Sequence, residues 1–332
     1  MVRSRKTPRD LLASWLGRGF APTRPIDTFD LAADEASSLG QRPRGLLDLA
    51  AWEGALPHEP SPFRHILADH PLLHADRIRE ALARVPDDCV DVRAVDEDGP
   101  DGGSYGRKKR LAMSASDAIR AMEHKRLWMN VQKLHRFDEG FKSLVHDVLR
   151  SVASTFPELV PEVYAAGAYL IVSSGRAGCH FHADPDLNFL MQIRGKKRVF
   201  MWSPRALDEP TKEVLAATGD HGAVPYKPEY EGVALPPVDL EPGHGAFIPL
   251  FAPHRVENDD EPCVSLSVGF VPRHAMIRLR VHEVNHALRK LGLPVSRSGE
   301  KPALDGILHG LHLGLRLARR MRDRVPIFGG AS

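Results

Sequence analysis

Apolar residues change their spacing along this chain, from helical periods to short alternating runs near residue 165, and back to helical periods beyond residue 272. Thr7-Pro8-Arg9-Asp10 offers a capping hydroxyl, a first-turn proline and an acid, predicting a helix that Gly17 ends. Residues 44–90 read as short helices broken by Pro57, Pro60, Pro62, Pro71 and Pro86. Residues 97–106, rich in glycine and acids, read as an exposed loop. Helices are expected over 115–124 and 138–156. In the second, Phe141, Leu144, Val145, Val148, Leu149 and Val152 fall on one face. Then come β-like runs at 168–172, 187–193, 198–202, 245–250 and 263–271, separated by Gly and Pro. Arg194-Gly195-Lys196 joins the second run to the third as a hairpin turn, with Gly195 free to take positive φ. A Pro-rich excursion over 204–240 holds one helix near 208–217. Two more helices are expected over 274–292 and 303–323, joined by a Pro/Ser/Gly linker.

This pattern predicts a mainly β core with α additions: an N-terminal helical region over 1–110, the core over 111–272 and a C-terminal helical region over 273–332. Leu304, Ile307, Leu308, Leu311 and Leu315 form an apolar stripe on the last helix, which needs a partner within the chain or from another copy.

Composition narrows the classes without choosing among them. The 332 residues are 42% hydrophobic and 27% charged, ordinary for a globular protein. A net charge of +2 argues against nucleic-acid binding, which shows as a concentrated basic face; the basic clusters at 107–110 and 316–324 read as solvated edges. Cys89, Cys179 and Cys263 make an odd count without a CxxC, pointing to a reducing compartment. Residues 11–15 are too short an apolar stretch for a membrane span, so the expected location is cytoplasmic, with no membrane partner.

Candidate chemistry concentrates in His180-Phe-His182-Ala-Asp184-Pro-Asp-Leu-Asn188 and the residues that follow. On a strand, residues two apart share a face, so His182 and Asp184 can address one ion. A second imidazole, best placed at His254 after Pro253 on a later strand, completes a set of two histidines and one carboxylate. That set suits Fe(II) and leaves coordination positions open. An HxD pair alone is common by chance. His74-Ala75-Asp76 is another, but it opens an apparent helix, where that spacing does not align the two side chains. His282-Glu283-Val-Asn-His286 matches the HExxH zinc motif, yet no third ligand follows at suitable spacing.

The sequence His182-x-Asp184, with Asn188, Gln192, Gly195-x-Lys197 and a distal His254, resembles the JmjC/cupin-like (cupin 8-type) branch of Fe(II)- and 2-oxoglutarate-dependent oxygenases. The likeness covers about residues 165–271, and several fixed spacings agree at once. It implies a double-stranded β-helix, a jelly-roll barrel of cupin type. N-terminal helices would buttress the barrel, and a C-terminal helical pair would mediate a homodimer. It further implies Fe(II) held by His182, Asp184 and His254, and 2-oxoglutarate as co-substrate with O₂. Lys197 would pair with the far carboxylate of 2-oxoglutarate, and Asn188 would bond near the co-substrate or orient a metal ligand. The implied activity is that of a dioxygenase, a hydroxylase of an amino-acid side chain in a protein, peptide or small metabolite. In 263–271, Ser265 and Ser267 alternate with apolar residues; they either floor the co-substrate site or fill a narrow interior. His180 reads as a neighbour of the site or as a surface residue. Two positions depart from the family: Cys179 stands where Ser or Thr is common, and His244 where Asp is common. They motivate the alternative of a non-catalytic cupin-like binding or regulatory protein.

Overall fold

The computed structural model describes residues 45–52, 56–95, 110–156, 163–219 and 224–324. The helix expected after Thr7 and the loop expected over 97–106 lie outside the described residues. The described chain divides into two units. One runs through Leu207 and takes up again from 224 to Arg273; the other comprises 208–219 and the residues from His274 onward. No described helix is long and apolar enough to cross a membrane.

The first unit is mainly antiparallel sheet with helices. Its strands are β1 (Leu47–Asp48), β2 (Ser61–His65), β3 (Val90–Ala94), β4 (Arg110–Leu111), β5 (Leu127–Gln132), β6 (Val163–Ser173), β7 (Gly178–Ala183), β8 (Leu187–Arg194), β9 (Lys197–Met201), β10 (Val238–Leu240), β11 (His244–Ile248), β12 (Pro253–Asn258) and β13 (Cys263–Pro272). Nine form a sheet in the order β1-β2-β11-β8-β13-β6-β5-β3-β4, and four form a second sheet, β10-β9-β12-β7. The alternation in β13 explains its two faces. Phe270 turns towards Phe189 and Phe247, with Phe189 5.8 Å from Phe270 and 5.0 Å from Phe247 between ring centroids. Trp52 and Phe63 close over these rings. Burying each such side chain contributes roughly 1.5–3 kcal/mol. On the other face, Leu190, Ala246 and Ile248 meet Val199, Met201 and Leu240 of the four-stranded sheet in a buried layer. The two sheets therefore face each other across apolar side chains, and the space between them holds the polar residues described below.

Residues 44–90 differ from the expected run of short helices. The segment does contain the helix α1 (Ala75–Leu82) and single 3-10 turns, but it also supplies β1, β2 and the first residue of β3 to the large sheet. Prolines mark its breaks, yet they do not forbid strand there. At Pro62, β2 has β11 on one side only, because β1 pairs just with Arg64 and His65, so the missing N–H costs no ladder bond. In β3, Val90 and Val92 alternate with polar residues over too few positions to outweigh the prolines.

Helices α2 (Ala115–Ala121) and α4 (Glu139–Thr155) follow the expected positions closely, and a short helix α3 (Leu134–Phe137), not expected from the sequence, precedes α4. Asp138 caps α4 by accepting from the Phe141 N–H at 3.1 Å, while the stripe from Phe141 to Val152 is buried. The same buried carboxylate receives Arg77 and Arg84, tying α4 to α1 and the residues just after it.

In the second unit, α5 (Glu209–Thr218) matches the helix expected near 208–217, and α6 (Arg273–Lys290) and α7 (Pro302–Arg324) are the two expected C-terminal helices. The apolar stripe of α7 is split. Leu304 and Leu308 pack against Val281, Val284 and Leu288 of α6, whereas Ile307 is 68% exposed and Leu311 46%. One partner helix covers only part of so wide a stripe. Buried polar contacts accompany this packing: Glu283 faces His312 Nδ1 at 3.3 Å, and His282 faces Glu209 at 3.8 Å. Burial raises Glu283 to about 8, against the opposing pull of Arg316 and Arg280. Burial likewise lowers His312 to about 4 and His282 to about 3. The pair is thus neutral at pH 7.

Two stability predictions follow from these contacts. Asp138→Ala removes both a helix cap and the anion beside Arg77, and is expected to cost about 2–4 kcal/mol in chemical denaturation. Asp138→Asn should recover part of that loss, because the amide oxygen still caps. For Glu283, the unfolded chain ionises from about 4.5 upward while the folded chain keeps its proton to about 8, so the unfolded state binds fewer protons in between. The two imidazoles cancel part of this slope below about 6.5, their ordinary value. From pH 6.5 to 8 Glu283 therefore lowers stability by roughly 1 kcal/mol per pH unit. Glu283→Gln should flatten that slope in urea titrations across the window; an unchanged slope would show that Glu283 is ionised in the fold.

Candidate metal centre

His182 lies near the end of β7 and His254 near the start of β12, and antiparallel pairing sets them directly opposite each other. Their rings stand 4.1 Å apart between centroids. Each imidazole is oriented by a backbone carbonyl: His182 Nδ1 lies 2.8 Å from the His180 carbonyl oxygen, and His254 Nδ1 lies 3.1 Å from that of Ala252. A carbonyl only accepts, so both Nδ1 atoms carry a proton, and the Nε2 atoms are the ones left for a metal to take. Asp184, just past β7, brings its Oδ2 to 4.0 Å from His182 Nε2 and 3.8 Å from His254 Nε2. Its backbone carbonyl accepts from the Phe251 N–H at 3.0 Å, which links the β7–β8 turn to the segment leading into β12. The ligand atoms of His182, Asp184 and His254 lie within 4.8 Å of one another, and no other described group of histidines, cysteines and acids meets that geometry.

The β7–β12 ladder contains an irregularity that the sequence does not announce. His182 pairs with His254, but the next register pair is Cys179 with Val256, so three residues of β7 run against two of β12. Such a bulge re-aims side chains. Cys179 and His182 have opposite strand parity, yet the Cys179 Sγ sits 3.4 Å from His182 Nδ1. His180 shares the parity of His182; its ring stands 5.5 Å away. Burial opposes a charge on His182, but Cys179, Asp184 and the His180 carbonyl outweigh it and hold the imidazole up at about 10 in the metal-free chain. A metal cation at Nε2 competes with that proton.

Lys197 opens β9 and is only 5% exposed. Burial pulls its ammonium below the ordinary lysine value, opposed by the thiols of Cys263 and Cys179, and no carboxylate among the described residues pairs with it. Lys196, one residue earlier, points to solvent and meets Glu241 at 2.6 Å, as strand alternation requires. Just before both lysines, Gly195 takes φ +72°, and a Cβ there would lie 2.5 Å from the Pro262 carbonyl oxygen.

Asn188 and Ser267 form one buried unit. The Asn188 Nδ2 donates to Ser267 Oγ at 2.8 Å, and that hydroxyl donates back to Asn188 Oδ1 at 2.9 Å. Ser265 similarly donates to Gln192 Oε1 at 2.7 Å, while the Gln192 amide nitrogen donates to the carbonyls of Arg194 and Gly195. The serines on β13 therefore satisfy amides on β8, a pairing that the spacing of either strand alone does not show. His244 lies on β11, where its carbonyl accepts from His65. His74 precedes α1, and Asp76 lies on its exposed side against Arg79. The HExxH residues are engaged elsewhere: His282 faces Glu209 of α5, and Glu283 faces His312 of α7.

No protein-family model and no curated protein matches the sequence. Solved structures similar to the chain include YcfD, a ribosomal oxygenase from Escherichia coli, at 19% identity and a TM-score of 0.41, covering 73% of this chain and 56% of that one. YcfD in complex with cobalt and 2-oxoglutarate matches at 18% identity and a TM-score of 0.40, with the same coverage. The DMSP lyase DddQ from Ruegeria pomeroyi DSS-3 matches over 32% of this chain and 38% of that one, at 19% identity and a TM-score of 0.21. The chain thus has YcfD among its structural neighbours and, in the first of these matches, spans 56% of the YcfD chain.

Proposed function

We propose that this chain is an Fe(II)- and 2-oxoglutarate-dependent oxygenase, a hydroxylase acting on an amino-acid side chain of a protein, peptide or small metabolite. The observation that carries this reading is a paired arrangement. Two imidazoles turn their Nε2 atoms towards one carboxylate, and a buried ammonium with no acid paired to it among the described residues stands in the same interior. Two nitrogens and one oxygen from the protein suit ferrous iron and leave open positions for other ligands. A buried ammonium is costly unless an anion joins it, and the far carboxylate of 2-oxoglutarate supplies that anion.

Within this reading His182, Asp184 and His254 hold the metal, and the carbonyls of His180 and Ala252 fix the two rings. Lys197 binds the far carboxylate of the co-substrate. The Asn188–Ser267 pair keeps the wall beside the metal rigid and its own polar atoms satisfied. The layer of Leu190, Val199, Met201 and Ile248 excludes water from the interior. Bound there, iron with 2-oxoglutarate and O₂ supplies oxidative decarboxylation of the co-substrate to succinate and oxidation of a substrate C–H bond.

Succinate release that requires both Fe(II) and 2-oxoglutarate is the expected result. Binding of both without any turnover would favour the non-catalytic cupin-like alternative. Lys197→Ala should raise the KM for 2-oxoglutarate by about 10- to 150-fold, the equivalent of losing a charge-assisted hydrogen bond of roughly 1.5–3 kcal/mol. Lys196→Ala, on the solvent side of the same turn, should leave that KM near wild type. An unchanged KM in Lys197→Ala would remove this lysine from the site.

A further inference from the structure

Large apolar side chains left in water are unevenly placed among the described residues. Of the eight that are exposed, Leu293, Ile307, Leu311, Leu313 and Leu317 belong to the second unit, the last four of them to α7. At 3.6 residues per turn, the exposed positions of α7 from Ala303 to Leu317 fill one continuous arc of about 160°. Besides the four large side chains they are Ala303 and three glycines, Gly306, Gly310 and Gly314, where an added Cβ would meet nothing within 4 Å. No position in that arc carries a charged or hydrogen-bonding side chain. The polar residues of the same stretch lie elsewhere around the helix: Asp305 and His312 are buried, and His309 and Arg316 half-buried. A helix face turned to water is ordinarily polar, and a continuous apolar face of this kind marks an interaction surface.

Charge indicates what covers it. From Arg273 onward the sequence has 12 Lys and Arg against four Asp and Glu, although the whole chain carries only +2. Arg316, Arg319, Arg320, Arg322 and Arg324 crowd into the end of α7, directly after the apolar arc, with Asp323 as the one acid among them. A second copy of this chain would bring two such basic units together. The acids of the unit do little to receive them: Glu209 and Glu213 already face Arg297 and Arg289, and Glu283 and Asp305 are buried. An anionic lipid surface meets both demands, taking apolar side chains into its headgroup layer and arginines onto its phosphates. We propose that α7 is an interfacial helix that docks the protein on an anionic lipid surface through Ile307, Leu311, Leu313, Leu317 and the arginines that follow them. The helix lies along that surface, since no described helix is long and apolar enough to cross it. This replaces the expectation of no membrane partner and of a merely solvated edge at 316–324, and it is independent of the oxygenase reading.

Flotation of the full chain with vesicles of phosphatidylcholine and phosphatidylglycerol in equal parts, against vesicles of phosphatidylcholine alone, tests the proposal. The anionic vesicles should bind the protein about tenfold or more tightly than the neutral ones. That difference should vanish in about 1 M salt, where the screening length falls to about 3 Å. Ile307→Ser combined with Leu311→Ser should weaken binding to the anionic vesicles by about tenfold or more. Both residues are exposed, so the thermal melt should stay near that of the wild type. If that variant does not fold, Arg319→Gln combined with Arg320→Gln decides the matter, and should cost about tenfold or more on anionic vesicles alone. Failure of the wild type to float, equal flotation with both kinds of vesicle, or binding unmoved by either double variant overturns the proposal. Sedimentation equilibrium without vesicles completes the test: a dimer that Ile307→Ser with Leu311→Ser dissociates would assign this face to a second copy and overturn it as well.

Discussion

The backbone ladder between β7 and β12 sets His182 opposite His254, and the rest of the candidate site is arranged around that pairing. A ladder fixes register to one residue, and a slip by one would turn both imidazoles to the wrong face. The carbonyls of His180 and Ala252 then hold the rings by their Nδ1 protons, so ring orientation is set by the same backbone that sets position. Asp184 needs only to follow β7 directly to reach both Nε2 atoms. The bulge beyond His182 adds Cys179 to this interior without disturbing the histidine pair.

Desolvation is the constraint that shapes everything behind the metal ligands. Two sheets that bury Leu190, Val199, Met201 and Ile248 between them leave polar groups nowhere to find water. The amides of Asn188 and Gln192 are answered by Ser267 and Ser265, and each hydroxyl is placed by strand register rather than by flexible reach. Lys197 is the exception, a buried ammonium whose described neighbours are thiols and not acids. A fold keeps such a group when a ligand completes it. The C-terminal helices meet the same constraint differently, by keeping Glu283 and His312 neutral beside each other.

Much of this was legible in the sequence because local rules sufficed. The stripe from Phe141 to Val152 gave a helix, the turn at Gly195 gave a hairpin, and the alternation after Cys263 gave a two-faced strand. His182 and Asp184 could be read together because their spacing fits one strand face, and His254 because few later strands carry an imidazole after a proline. What failed was non-local. Strands β1, β2 and β3 are too short to show a period and gain their identity only from partners far along the chain, such as β11 for β2 and β5 for β3. The bulge beside Cys179 and the serine–amide pairs are properties of two strands at once. The stripe on α7 was read correctly as apolar, but its division between Leu308 and Ile307 depends on where α6 lies.

The central claim is that His182, Asp184 and His254 bind ferrous iron so that 2-oxoglutarate can join it with Lys197 at the far end. Titrating 2-oxoglutarate into the Fe(II)-loaded protein under nitrogen, while following visible absorption, addresses it most directly. The account expects a saturable metal-to-ligand charge-transfer band in the wild type and none in Asp184→Ala or His254→Ala that remain folded. A wild type that binds iron yet develops no band, or an Asp184→Ala variant that develops the full band, would contradict it.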